Sequence, residues 1–171
     1  MVKLFRLFYY EQSATLVKFL ILLGAVSLAP FIGNQLITGI IVNTGLFLAI
    51  TIIGVRAAIL IGIMPSLIAL MTGIIPTIAL PFIPFIIFSN FLLVIAFNRV
   101  KKNYILGIFL PSFIKFMFLY GSSLIFFNFI FPENIPYSLI QSMGSIQFIT
   151  AVSGGIIALL FSRLINIHNE K

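Results

Sequence analysis

The residue best placed to do chemistry in this sequence is Lys115, the only charged residue deep inside a long apolar run. A lysine at the centre of a membrane helix costs about 3 kcal/mol on insertion scales, and such residues usually face an interior cavity. Asn43 and Asn90 fall at a similar predicted depth and can accept hydrogen bonds from an ammonium group. These residue types indicate solute binding, because an uncompensated cation favours a carboxylate or a polarised carbonyl.

Each of these residues also has a purely structural interpretation. Lys115 could extend its ammonium to an interface or bond to Asn90 or a backbone carbonyl, and either asparagine could join two helices. We expect a cavity in the outer half of a helix bundle, walled by the second, fourth, fifth and sixth helices, with Lys115 at its floor. Phe113, Phe116 and Tyr120 are the expected aromatic walls. Further polar residues would lie in an outer vestibule or at headgroup level: Asn34, Gln35, Tyr120 and Gln147.

The composition argues against an enzyme. The chain has no Cys, no Asp, a single His (His168) and three Glu, namely Glu11, Glu133 and Glu170. Thiolate metal sites, histidine ligand clusters and the paired carboxylates of hydrolases cannot be built from this set. We therefore expect no catalytic residue, no metal and no cofactor. The sequence also lacks a P-loop, and its apolar runs lack the carboxylates of a proton or sodium relay.

The elements that must position these residues are membrane helices. Of the 171 residues, 61% are hydrophobic and 8% are charged, against roughly a quarter charged in an average soluble domain. Apolar runs of about 20 residues span a bilayer as helices. The sequence predicts an all-α integral membrane protein, a single bundle of six spans at 16–33, 34–54, 56–75, 81–98, 104–131 and 148–167. Residues 1–15 would form a cytoplasmic amphipathic segment, and 132–147 an extracellular loop.

The basic residues predict the orientation. If the six spans alternate, nine of the ten basic residues fall on one side, whereas the other side holds only Glu133. Cytoplasmic segments carry the excess of Lys and Arg, so both termini would be cytoplasmic in a multi-pass cell-membrane protein. Because the charges are dispersed between apolar runs, no nucleic acid partner is expected. The nine residues are Lys3, Arg6, Lys18, Arg56, Arg99, Lys101, Lys102, Arg163 and Lys171.

Small residues recur at four-residue spacing, which lets membrane helices approach closely. The spacing occurs in the first span at Ala25 and Ala29, and in the third at Gly54, Ala58 and Gly62. A similar series in the sixth span comprises Thr150, Gly154, Ala158 and Ser162. Such series serve either packing within the chain or contact with a partner protein.

With its size, six predicted spans and basic cytoplasmic turns, the sequence resembles the substrate-binding (S) components of energy-coupling-factor (ECF) transporters. The motifs are the runs Asn43-Thr-Gly-Leu-Phe-Leu-Ala49 and Gly54-Val-Arg-Ala-Ala-Ile-Leu-Ile-Gly62, and the stretch from Pro65 through Pro81 to Asn90. The resemblance implies a vitamin- or micronutrient-binding subunit that works with a membrane coupling protein and two cytoplasmic ATPases. It also implies that an Ala-x-x-x-Ala patch, matched in spacing by Ala25 and Ala29, meets the coupling protein. Metal-specific members begin Met-His, whereas this chain has Val2, so cobalt or nickel uptake is not expected.

The alternative is a non-transporting membrane scaffold, such as the cell-shape protein family that resembles the same six-helix architecture. A scaffold has no need for a lysine at mid-depth or for an outward vestibule. A small molecule that copurifies with the protein would therefore distinguish the two hypotheses.

Overall fold

The structure is a computed structural model that describes residues 2–75, 77–130 and 141–169, and the described residues are helical and contain no strand. Two short 3-10 helices, Ala29–Ile32 and Thr77–Phe82, precede α2 and α4. Residues 141–143 add one helical turn. The six long helices are α1 (Val2–Leu28), α2 (Gln35–Ile52), α3 (Val55–Met71), α4 (Ile83–Val100), α5 (Tyr104–Ile130) and α6 (Ser145–Asn169).

Five stretches of the described helices are long and apolar enough to cross a membrane. They are Gln12–Ile32, Gln35–Ile52, Ala79–Val100, Ile105–Phe126 and Gln141–Leu164. The helix α3 is also apolar but has only 17 residues, one turn short of the expected span 56–75, because Thr72, Gly73 and Ile74 leave the helix. The protein is thus an all-helical chain with several membrane-like helices.

Two expected boundaries differ from the structure. The helix α1 runs without a break through residue 15, so the expected surface segment 1–15 is continuous with the first apolar stretch. The side chains of residues 1–11 lie outside the described part, and so does the amphipathic face expected of them. The expected loop 132–147 is too long, because α6 begins at Ser145 and residues 141–143 are already helical. The rest of that loop, 132–140, lies outside the described residues.

Local sequence explains where the helices begin and end. Asn34 caps α2, because its side-chain oxygen accepts a hydrogen bond from the backbone N–H of Ile37 at 3.2 Å. Asn103 caps α5 in the same way, accepting from Ile105 and Leu106 at 3.2 Å each. Gly54 separates α2 from α3 with φ of 129°, a conformation that few residues other than glycine adopt. These positions divide one apolar chain into antiparallel helices.

The helix α2 lies at the centre of the bundle and packs most extensively against α6. Small residues allow this contact. A Cβ added to Gly154 of α6 would lie 2.8 Å from the backbone nitrogen of Thr44, and one added to Gly39 would lie 2.9 Å from Thr150. Backbones that approach this closely gain dispersion contacts, which drive helix association where lipid removes the hydrophobic term. The central buried side chains include Leu46, Phe47, Ile61, Leu93 and Val94.

The connections define two ends of the bundle. One end, which we call the cavity end, carries the α1–α2, α3–α4 and α5–α6 connections. The other, the basic end, carries the α2–α3 and α4–α5 connections, with Arg56, Arg99, Lys101 and Lys102 in or beside them. Because the chain reverses direction at each connection, successive connections lie at opposite ends of the bundle. The candidate site lies at the cavity end.

Candidate functional site

The candidate site is built around the ammonium group of Lys115. Its Nζ donates hydrogen bonds of 2.7 Å to Oδ1 of Asn43 on α2 and 2.7 Å to Oδ1 of Asn90 on α4. The three residues are 0 to 2% exposed. Because Lys115 lies on α5, the cluster ties three helices together at one level of the bundle. We call these residues the lysine cluster.

The two asparagine amides point their oxygens at the ammonium because their NH₂ groups are bound elsewhere. Nδ2 of Asn43 donates to the carbonyl oxygen of Gly39 at 2.8 Å and to Oγ1 of Thr150 at 3.3 Å. Nδ2 of Asn90 donates to the carbonyl oxygen of Gly62 at 2.8 Å. Both N–H donors of Asn43 are thus used within the chain, whereas Asn90 uses one of its two, and each amide offers its oxygen to the lysine.

No side chain in the described part of the chain supplies a countercharge to Lys115. Both partners of the ammonium are neutral amides. None of the side chains that the structure describes is a carboxylate, since the sequence has no Asp and the side chains of its three Glu lie outside the described part. Hydrogen bonds from a charged donor are stronger than neutral ones, so the amides stabilise the cation but do not neutralise it.

A cavity of about 390 Å³ opens above the lysine cluster and reaches the cavity end. Its volume lies within the range of pockets that hold small organic ligands, about 300–1,000 Å³. All three connections of that end contribute to its wall, as do α2, α3 and α4. The polar residues of its floor are Asn43, Ser66, Asn90 and Lys115, and those nearer its mouth are Asn34, Gln35, Ser142 and Gln147.

Hydrogen bonds hold the mouth together. Nε2 of Gln35 donates to the carbonyl oxygen of Ser142 at 3.1 Å, which joins the start of α2 to the segment before α6. Oγ1 of Thr38 donates to the carbonyl oxygen of Ala29 at 2.9 Å. The first bond joins α2 to the α5–α6 connection, between residues far apart in sequence, and the second holds the α1–α2 connection against α2.

Six of the seven residues expected to bind solute line this one cavity. Tyr120 does not: its ring stacks on Phe116 with centroids 5.6 Å apart, and the residue is 36% exposed. Phe113 is exposed and also lies outside the cavity. The six are Asn34, Gln35, Asn43, Asn90, Lys115 and Gln147.

The walls differ from the expected ones in two respects. Of the described side chains of α5, Lys115 alone lines the cavity, and the expected Phe113, Phe116 and Tyr120 do not. The helix α3, which was not expected to contribute, supplies Pro65, Ser66 and Ala69. Ser66 at mid-depth continues the Gly54–Ala58–Gly62 spacing, and that spacing was the available signal that this face of α3 turns inward.

The small residues expected to meet a partner protein are mostly covered by the chain itself. Ala29 and Ala58 are buried, and so is Gly62, whose carbonyl oxygen accepts the Asn90 bond. A Cβ on Gly62 would lie 3.2 Å from Leu46. Only Ala25, which is exposed, and Gly54, which is half-buried, remain accessible. The interface expected at Ala29, Ala58 and Gly62 is therefore replaced by packing within the chain.

Comparisons with known proteins do not extend this description. No family model, curated protein or solved structure matches the chain. The function of the protein is therefore inferred from the cavity and the lysine cluster.

Proposed function

We propose that this protein is the membrane-embedded solute-binding subunit of an ECF-type uptake transporter, for a vitamin or another small organic micronutrient. The observation that carries the proposal is a cavity of about 390 Å³ whose floor holds a buried lysine. Ionisable residues at membrane depth are expensive and usually mark a solute or ion pathway. Because Lys115 lines a space large enough for a ligand, it fits a solute pathway better than a lysine that is enclosed by side chains would.

In this proposal six helices cross the cell membrane, with both termini in the cytoplasm and the cavity open to the outside. The helix α3 is about 26 Å long at about 1.5 Å per residue, close to the roughly 30 Å of the hydrocarbon core. Two features support the orientation. Arg56, Arg99, Lys101 and Lys102 lie in or next to connections of the basic end. The connections of the cavity end contain no Lys or Arg in the sequence.

Energy for uptake would come from other proteins. The sequence has no P-loop, and none of the described side chains of the helices is a carboxylate. We therefore propose a membrane coupling protein and cytoplasmic ATPase subunits as partners, docking at the basic end near Arg56 and the turn from Arg99 to Lys102. Reconstituted alone in liposomes, the protein should bind solute without accumulating it against a gradient.

The test is native mass spectrometry of the purified protein, which detects a retained small molecule by its mass, whatever its identity. Wild type should retain a solute, and Lys115→Met should lose it or bind at least about tenfold more weakly, since a charged hydrogen bond contributes roughly 1.5–3 kcal/mol. Lys102→Met is the matched control, because Lys102 is exposed at the basic end and the same atoms are removed. Its retained solute should match wild type.

A second candidate, the non-transporting scaffold, is favoured by one specific observation. Both bonds of Lys115 go to side chains of its own chain. A purely structural role, in which the lysine joins α2, α4 and α5, explains both bonds. A scaffold predicts that wild type retains no small molecule and that Lys115→Met lowers the yield of folded protein. Solute loss at an unchanged folded yield, measured by size-exclusion chromatography, favours the transporter subunit.

A further inference from the structure

We infer that the solute is an elongated organic anion that binds with its carboxylate against Lys115 and its other, polar end at the mouth of the cavity. The inference rests on the proposed function, because it concerns the solute of the same cavity. The inference specifies the chemical class of the solute and the orientation of the solute in the cavity.

First, the hydrogen-bond donors and acceptors at the floor of the cavity determine which group of the solute can bind there. An ammonium group has three N–H donors and no acceptor. Two of the donors of Lys115 go to Asn43 and Asn90, at 2.7 Å each, which leaves a third for the cavity that the residue lines. Both N–H donors of Asn43 and one of the two of Asn90 are bound within the chain, and a remaining N–H would likewise need an acceptor. The solute group at this floor must therefore accept a hydrogen bond from the lysine.

The second argument is charge. Only 2% of Lys115 is exposed, and both hydrogen-bond partners of its ammonium are neutral. A buried charge with neutral partners gains most from an opposite charge, because interactions between charges strengthen as water is excluded. A solute carbonyl would add a third neutral acceptor, whereas a carboxylate would also neutralise the cation. A lysine can bind either a carboxylate or a carbonyl group. At this buried position the charge favours the carboxylate.

The third argument is the length of the cavity. From Gln35 near the mouth to Asn43 at the floor, α2 rises about 12 Å at about 1.5 Å per residue. Both ends of this distance carry polar side chains, with Gln35 and Gln147 at the mouth. The wall between them includes apolar side chains, such as Ala69 and Ile86. This pattern fits a molecule with a polar group at each end and an apolar body, and it excludes a small inorganic anion as a full occupant.

The experiment measures selectivity in detergent by isothermal titration calorimetry. The probes are elongated monocarboxylates, each paired with its primary amide, led by para-acetamidobenzoate and para-acetamidobenzamide. The cationic analogue para-acetamidobenzamidine and short acetate complete the set. We expect the acids to bind about tenfold more tightly than the amides, because only the acids add an attraction between opposite charges in a site that excludes water. The amidine and acetate should not bind.

Two variants connect that selectivity to the lysine. Lys115→Gln keeps a hydrogen-bond donor but removes the charge, so the preference for acids should be lost. Asn43→Asp keeps the lysine but supplies a carboxylate beside it, which should also remove the preference for acids. Lys102→Met, at the exposed basic end, should keep the full preference. If either variant fails to fold, the acid, amide and amidine affinities of wild type decide the question without it.

The outcomes separate this inference from the proposed function. Equal binding of acid and amide to wild type, binding of the amidine, a preference for acids that persists in Lys115→Gln, or no acid binding at all overturns the inference. A neutral or cationic solute retained in native mass spectrometry would also overturn it, yet would support solute binding. Absence of any retained solute together with absence of any probe binding contradicts both.

Discussion

The cavity end and the basic end of this bundle are built from equally apolar helices but differ in how they fill space. Between the lysine cluster and the basic end, side chains close the interior. Phe47 meets Phe97 edge to face with centroids 4.8 Å apart, and Leu46, Ala49 and Leu93 are completely buried. On the other side of the cluster, a cavity of about 390 Å³ separates the helices. The lysine cluster marks the boundary.

The connections at the two ends also differ: those of the basic end are short, and those of the cavity end contain additional helical segments. At the basic end, α2 passes to α3 through Ile53 and Gly54, and α4 passes to α5 through residues 101–103. At the cavity end, the short helices Ala29–Ile32 and Thr77–Phe82 and the turn at 141–143 intervene. These segments contribute the polar groups that line the mouth, such as Asn34 and Ser142. One end thus provides close packing and charge, and the other provides space and uncharged polar groups.

The largest expected effect is an all-or-none difference in labelling between the two ends. The chain has no cysteine, so single cysteines can be introduced without a background. Lys102→Cys at the basic end and Gln141→Cys at the cavity end should react with a membrane-impermeant thiol reagent from opposite sides of the membrane. In intact cells only Gln141→Cys should react, because positively charged segments stay in the cytoplasm. Reaction of both from one side would contradict the six-span arrangement.

The next effect compares the same kind of enlargement in the two halves. Gly155→Leu places a side chain in the closed half, where even a Cβ would lie 2.9 Å from Ile108 and 3.1 Å from Phe47. Overfilling a packed core costs typically about 1–3 kcal/mol, so thermal unfolding should occur at a clearly lower temperature. Ala69→Leu instead extends into the cavity that Ala69 lines. We expect it to keep the unfolding temperature and to weaken solute retention at least about tenfold, as occupied volume excludes the solute.

Gly121→Leu is the control for this pair. A Cβ on Gly121 would have no neighbour within 4 Å, and the residue is outside the cavity wall, so both stability and retention should stay near wild type. If Gly155→Leu were tolerated and Ala69→Leu unfolded the protein, the two halves would have the reverse of the packing described above.

The sequence predicted the helical class and the depth of the polar residues better than their partners. Apolar runs of about 20 residues indicate where the helices lie, because this signal is local. The depth of Asn43, Asn90 and Lys115 follows from counting along antiparallel helices, which is why these three residues come together. Counting depth alone misplaced Tyr120, which lies five residues after Lys115 on α5 and therefore about 140° around the helix from it.

The small-residue spacings were ambiguous for a related physical reason. A close helix contact requires the same residues whether the neighbouring helix belongs to the chain or to a partner. Only the tertiary arrangement shows that Ala58 and Gly62 face the interior of the bundle, leaving Ala25 exposed. The length of α3 was overestimated because Gly73 and Ile74 are apolar enough to extend the run but leave the helix.

The smallest effect compares the two asparagine caps, which make the same kind of bond at opposite ends. Removing a cap costs about 1 kcal/mol, so Asn34→Ala and Asn103→Ala should lower the free energy of unfolding by similar amounts. Their effects on binding should differ. Asn34 and the next residue, Gln35, line the cavity, so fraying of the first turn of α2 disturbs the mouth. Asn103 caps α5 at the basic end, far from the cavity wall.

Retention of the solute should therefore fall by up to about fivefold in Asn34→Ala, the equivalent of about 1 kcal/mol, and stay unchanged in Asn103→Ala. Chemical denaturation in detergent measures the stability of each variant, and titration of the retained solute measures its binding. Equal loss of binding in both variants would mean that general stability, not the local order of the mouth, controls affinity. The cavity end would then lose the separate role that distinguishes it from the basic end, because solute binding would depend on the bundle as a whole.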